Sequence, residues 1–152
     1  MRKLVTGAAF GALFLTVKLA WNLIAMEPAA EPTASELAAE AAQFEAEIAE
    51  EIASGKAEPA LNWLAGPDNM LFEGDPETVQ SLIESLYEAG AVDVWFTGID
   101  EFGGRNISAA IAVELPEDAE TRARLLQAQA SFWEEPEAEP DVGQRYLHFA
   151  FD

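Results

Sequence analysis

Two helix patterns, each opened by its own start signal, bracket two β-rich runs, and that order restricts the fold more than any other feature. Asp75-Pro76 supplies an N-cap and a first-turn proline, Val79, Leu82, Ile83 and Leu86 follow at helical spacing, and Gly90 ends the pattern. "VDVWFTGI" (92–99) and "ISAAIAVEL" (107–115) are strands by their β-branched and aromatic content, joined by the glycine-containing connection "DEFGGRN". Pro116 precedes a second helix that runs from about Glu117 to about Trp133. The short apolar run "NMLFEG" (69–74) predicts a strand before the first helix, and "QRYLHFAFD" predicts a last strand over about 145–151. The resulting β-α-β-β-α-β order predicts an α+β fold, a ferredoxin-like sandwich with two helices on one face of an antiparallel sheet. In that topology the last strand lies beside the first. No family signature accompanies the pattern, and the fold by itself implies no activity.

Strand alternation assigns the two faces of the sheet. Val92, Val94, Phe96, Ile107, Ile111, Val113 and Leu115 point to the helices, as do Leu147, Phe149 and Phe151 of the closing strand. Burying three such terminal side chains contributes roughly 1.5–3 kcal/mol each, so the chain ends on core residues and not on a frayed tail. The other face carries Trp95 and Thr97 on one edge, Ala110 and Ala112 in the centre, and Tyr146 and His148 on the other edge. Small alanines between aromatic edges describe a shallow groove that fits a helix, a second sheet or a flat ligand.

A second apolar element precedes this domain, which is expected over 60–152. "ASELAAEAAQFEAEIAEEIASG" is rich in alanine and glutamate, with Ser35 as N-cap and Gly55 as stop. Leu37, Ala41, Phe44, Ile48 and Ile52 form one narrow apolar stripe on this acidic helix (34–55). The stripe packs on its own domain, shielding the open sheet face, or serves as a coiled-coil or partner-binding seam. Leu37, Phe44, Ile48 and Ile52 are its contact residues.

The chain opens with "MRKLVTGAAFGALFLTVKLAWNLIAM", a basic start followed by an uncharged run from Leu4 to Val17. That length suits a signal-peptide hydrophobic region, but Leu19 to Met26 continues it, and no convincing small-x-small cleavage site follows. Residues 1–26 are therefore expected to be an uncleaved signal anchor, with a cleaved signal peptide or a buried helix as alternatives. Arg2 and Lys3 stay cytoplasmic by the positive-inside tendency, which places the rest outside the cytoplasm, or secreted or periplasmic after cleavage. Residues 27–33, "EPAAEPT", form an acidic proline-containing linker.

The formal net charge is −20, and residues 1–26 contribute +3 through Arg2, Lys3 and Lys18, so residues 27–152 carry 5 basic against 28 acidic groups, or −23. Such a body repels nucleic-acid phosphates and anionic lipid headgroups, which makes both poor partners for it, and it suits solubility, cation association or a basic protein partner. The acidity also fits adaptation to salt. The chain has no cysteine, so disulfides, thiol nucleophiles and thiolate metal sites are absent. His148 lacks a companion histidine or spaced carboxylate and reads as a half-buried surface histidine. Asp100 and Glu101 near Arg105 read as turn carboxylates, and "EEPEAEP" as a solvated acidic loop without the spacing of a calcium loop. "GIDEFGG" lacks the ending of a phosphate loop, and no serine sits in a G-x-S-x-G setting.

No catalytic, metal or cofactor site is expected on these grounds. The sequence points to a membrane-tethered, extracytoplasmic interaction domain that engages a protein partner or a second copy of itself. The alternatives are a dimeric-sandwich small-ligand binder or enzyme with Trp95 and His148 lining its pocket, and a structural or inhibitory acidic module on a basic partner.

Overall fold

The computed structural model of the chain describes residues 32–71, 75–135 and 137–151. The hydrophobic segment 1–26 and most of the linker lie outside the described residues, as does the end (72–74) of the first expected strand. Thr33–Asp152 form one compact unit. Its elements are α1 (Ala34–Ser54), β1 (Glu58–Pro59), α2 (Ala60–Ala65), β2 (Asn69–Leu71), α3 (Pro76–Ala89), β3 (Asp93–Thr97), β4 (Asp100–Phe102), β5 (Arg105–Ser108), β6 (Ala110–Glu114), α4 (Ala119–Phe132) and β7 (Tyr146–Ala150).

Local chemistry sets the helix ends. Asp75 accepts from Thr78 N (2.9 Å) and Oγ1 (2.8 Å) to open α3, and Gly90 closes it in the left-handed region that favours glycine. Asp118 caps α4 through Thr121 N (2.8 Å). For α1 the cap is Thr33 and not Ser35: Thr33 and Glu36 form a reciprocal capping box, which Ser35 has no acidic partner at the right spacing to match as well.

The fold is α+β, with an antiparallel four-stranded sheet in the order β1-β3-β6-β7. This is a correction to the ferredoxin-like order. β7 pairs with β6 and not with the first strand, and the edge beside β3 is taken by Glu58–Pro59. Asn69–Leu71 instead joins a second sheet, β2-β5-β4, parallel to β5. The chain leaves the main sheet at two places. Gly98, at φ +60°, turns it out of β3, and the ladder is interrupted between Ser108, the last residue of β5, and Ala110, the first of β6. The Ser108 Oγ donates to Thr97 O at 2.7 Å, so a buried side chain satisfies a backbone acceptor where the ladder breaks.

One face of the main sheet carries the core. Val94, Phe96, Ile111, Val113, Leu147 and Phe149 meet Val79, Ile83 and Leu86 of α3 and Leu125 and Leu126 of α4. Leu115 and Phe151 join them, as alternation expects. Val92 and Ile107 do not: Val92 precedes β3 and is 57% exposed, and Ile107 lies half-buried in the second sheet. The sequence reading also passes over α2, whose buried Trp63 stacks on Phe96 with ring centres 5.2 Å apart. The acidic loop before β7 is fastened to α4 by Arg122, which forks onto Asp141 (2.7 and 2.6 Å) and donates to Gln144 O (2.8 Å). Those bonds hold the Asp141 carboxyl below the usual range.

Candidate functional site

The sheet face opposite α3 and α4 is built by register. Trp95, Ala112 and His148 lie in one row across β3, β6 and β7; Thr97, Ala110 and Ala150 form the next. Asp93, Glu114 and Tyr146 form a third. The structure thus brings together all six residues expected on this face. It does not leave them open. α1 lies over four of them, Trp95, Ala112, Tyr146 and His148, with Ile48 buried in one cluster with Ala112 and Tyr146, and Phe44, Ile52 and Trp95 packed against it. Alanine at the centre makes this possible, because a bulkier side chain would hold the helix off the sheet.

Contacts along α1 fix its seat. The Phe44 ring meets the His148 ring edge-on, with centres 5.4 Å apart. The Glu51 carboxylate accepts from Gly98 N at 2.7 Å, tying the end of α1 to the turn after β3. Glu51 is the residue the sequence reading missed here; its place three residues after Ile48 puts it beside the stripe, which was the available signal. Leu37, the first stripe residue, is half-buried and outside the central cluster.

The ionisable groups on this face are tuned by burial. Burial raises the Glu51 carboxyl, against the Gly98 hydrogen bond, and lowers His148. Burial likewise raises the Tyr146 phenol, helped by Glu114, whose carboxylate is also held by Arg145 at 2.8 Å. Tyr87, near the end of α3, is pushed up to about 12 by burial and by donating to Asp93 (2.7 Å). Burial is the leading cause at each of these groups.

Histidine 148 sets a pH dependence. Its folded pKa lies below the unfolded value, so its contribution to stability is present above about pH 6.5 and is lost as pH falls toward the folded pKa. Glu51 has the opposite sign: its raised pKa favours the folded state at low pH, and that contribution is lost as pH rises through its folded pKa. Denaturant midpoints measured from pH 7.5 to 5.5 will fall, and the part owed to His148 will vanish in His148→Phe. Identical slopes in the two proteins contradict this.

The Trp95 Nε1 is buried and has no hydrogen-bond partner among the described residues. An unmade bond of this kind costs about 1–3 kcal/mol, so Trp95→Phe trades lost ring contact against a removed penalty. Its unfolding free energy will stay within about 1 kcal/mol of the parent. A loss matching that of Trp63→Phe, measured the same way, contradicts the assignment.

Two open clefts lie elsewhere. One, of about 270 Å³, is lined by Val79, Leu82, Phe132, Trp133 and Phe151, with Asp75 at its rim already used as a cap. The other, of about 360 Å³, is bordered by Arg122, Glu114 and Arg145, whose charges are paired. Among the described residues no group of histidine and carboxylates is placed to hold a metal ion, and no helix is long and apolar enough to cross a membrane. No family model, no curated protein and no solved structure matches the chain.

Proposed function

We propose that the chain is a membrane-tethered, extracytoplasmic protein-interaction module. The observation that carries the reading is the occupancy of the sheet face. A dimeric-sandwich ligand binder needs that face free to enclose a pocket, whereas here Ile48, Phe44 and Ile52 fill it. The work of the protein then falls to its outer surface, which is strongly acidic and suits a basic protein partner better than nucleic acid. The tether rests on the basic start and the apolar run of residues 1–26. Under this reading α1 is the first element that follows the anchor and linker in the sequence.

Fractionation and surface protease treatment test the tether. The full-length chain will remain in the membrane pellet after a high-salt wash, and residues beyond 33 will be cut by protease added outside intact cells. A soluble chain beginning near residues 26–31 would show cleavage instead, and protection from external protease would place the domain on the other side. The interaction is tested by a photo-crosslinking residue at exposed Leu61, Val92 and Phe102 in turn. Discrete protein adducts in the cells of origin support it, and none at any position contradicts it.

A further inference from the structure

The β4–β5 hairpin lies outside both packed faces of the main sheet. Gly103 and Gly104, at φ +62° and +80°, form the two-residue turn that such a hairpin requires, with Phe102 directly opposite Arg105. Alternation and register put Met70, Asp100, Phe102, Arg105 and Ile107 on one side of the small sheet. The other side carries buried Ser108, so the first is outward. There Phe102 is 77% exposed, and the Arg105 guanidinium rests on the Met70 sulfur at 3.1 Å.

β4 is an edge strand of this sheet. With Phe102 and Asp100 directed by hydrogen bonds toward β5, the N–H and C=O of Glu101 between them point away from it. The strand line that the chain fills beside β3 ends at Lys56, whose carbonyl accepts from Ile99 N at 3.1 Å. The next outward groups are those of Glu101, and among the described residues nothing pairs with them. An edge that keeps its main chain open beside an exposed aromatic side chain is suited to receiving an added strand.

Charge selects the occupant. Glu47, Asp100 and Lys56 each lie within electrostatic reach of Glu51, and Glu101 is exposed on the edge itself. A second copy pairing antiparallel about this strand would set Glu101 against Glu101 and bring two bodies of −23 together. A basic segment meets no such repulsion. We infer that the β4 edge is a strand-addition site for an extended segment of a partner protein in which lysine or arginine alternates with apolar residues, with Phe102 as its apolar contact. This rests on the interaction reading above and gives it a surface and a partner chemistry.

The test is amide hydrogen exchange of the full-length chain in zwitterionic detergent micelles, with a blocked Lys-Val-Lys-Val-Lys-Val-Lys peptide as probe. The Glu101 amide will exchange about tenfold more slowly at saturating peptide, binding will weaken with salt, and Phe102→Ser will weaken it about tenfold. Unchanged exchange at Glu101, or equal slowing by the glutamate counterpart of the peptide, overturns the proposal. Slowing without peptide that grows with protein concentration also overturns it, in favour of a second copy. The crosslinking series separates the two readings. Adducts at Val92 or Leu61 with none at Phe102 remove this surface and keep the interaction module, and adducts nowhere remove both.

Discussion

A chain ending at Leu147 will lose its cooperative unfolding transition. The truncation removes Phe149, which is fully buried against Phe132 with ring centres 5.3 Å apart, and Phe151, which also packs on Phe132. It also removes the hydrogen bond from Phe151 N to Ala109 O (2.8 Å), which ties the chain end to the kink before β6. Each core phenylalanine lost costs about 3–5 kcal/mol, so the two together approach the whole ~5–15 kcal/mol net stability of a domain of this size. Near-ultraviolet circular dichroism on heating is the readout. A cooperative melt within a few degrees of the parent would show that β7 does not seal the core.

Replacing Ile48 with aspartate will release α1 from the sheet. Ile48 is 2% exposed and packs with Ala112 and Tyr146, in a cluster of apolar and aromatic residues that offers a carboxylate no cation. The lost apolar burial and the desolvated charge together cost about 3–5 kcal/mol, and the helix escapes that cost by undocking. α1 contains no lysine or arginine but several glutamates, so a glutamate-specific protease reports its release. Ile48→Asp will be cut rapidly between residues 36 and 51, while Ala49→Asp, on the exposed side of the same helix, will resist like the parent. Equal resistance of all three contradicts the docking.

Much of this arrangement was legible because it is local. Asp75-Pro76, Gly90 and Gly55 mark helix ends by side-chain capping and by the left-handed backbone that glycine favours. Period-two alternation sorts Val94, Phe96, Leu147 and Phe149 from Trp95, Ala112 and His148, and the stripe on α1 combined with the alanine floor of the sheet to suggest docking. Strand order was not legible in the same way. The break between β5 and β6 at Ala109, which separates the two sheets, is announced by no proline or glycine, since a serine hydroxyl bonds the Thr97 carbonyl there. α2 was hidden for a related reason: six residues are too few to show a period, and Trp63 reveals its role only against Phe96. Phe102 sat within what reads as a glycine connection, so an exposed edge strand was read as a turn.

The central claim is that the chain closes its own sheet face with α1, and the contact between Phe44 and His148 tests it most directly. In the nuclear magnetic resonance spectrum of the full-length chain in detergent micelles, the edge-on packing of these rings predicts strong cross-relaxation between Phe44 ring protons and the carbon-bound protons of the His148 ring. His148 is the chain's one histidine, so its signals are unambiguous. Those cross-peaks, lost on Ile48→Asp, are the result the account predicts. Their absence in the parent chain at neutral pH, with both rings assigned, would contradict it and return the sheet face to the open groove that a ligand or a second copy fills.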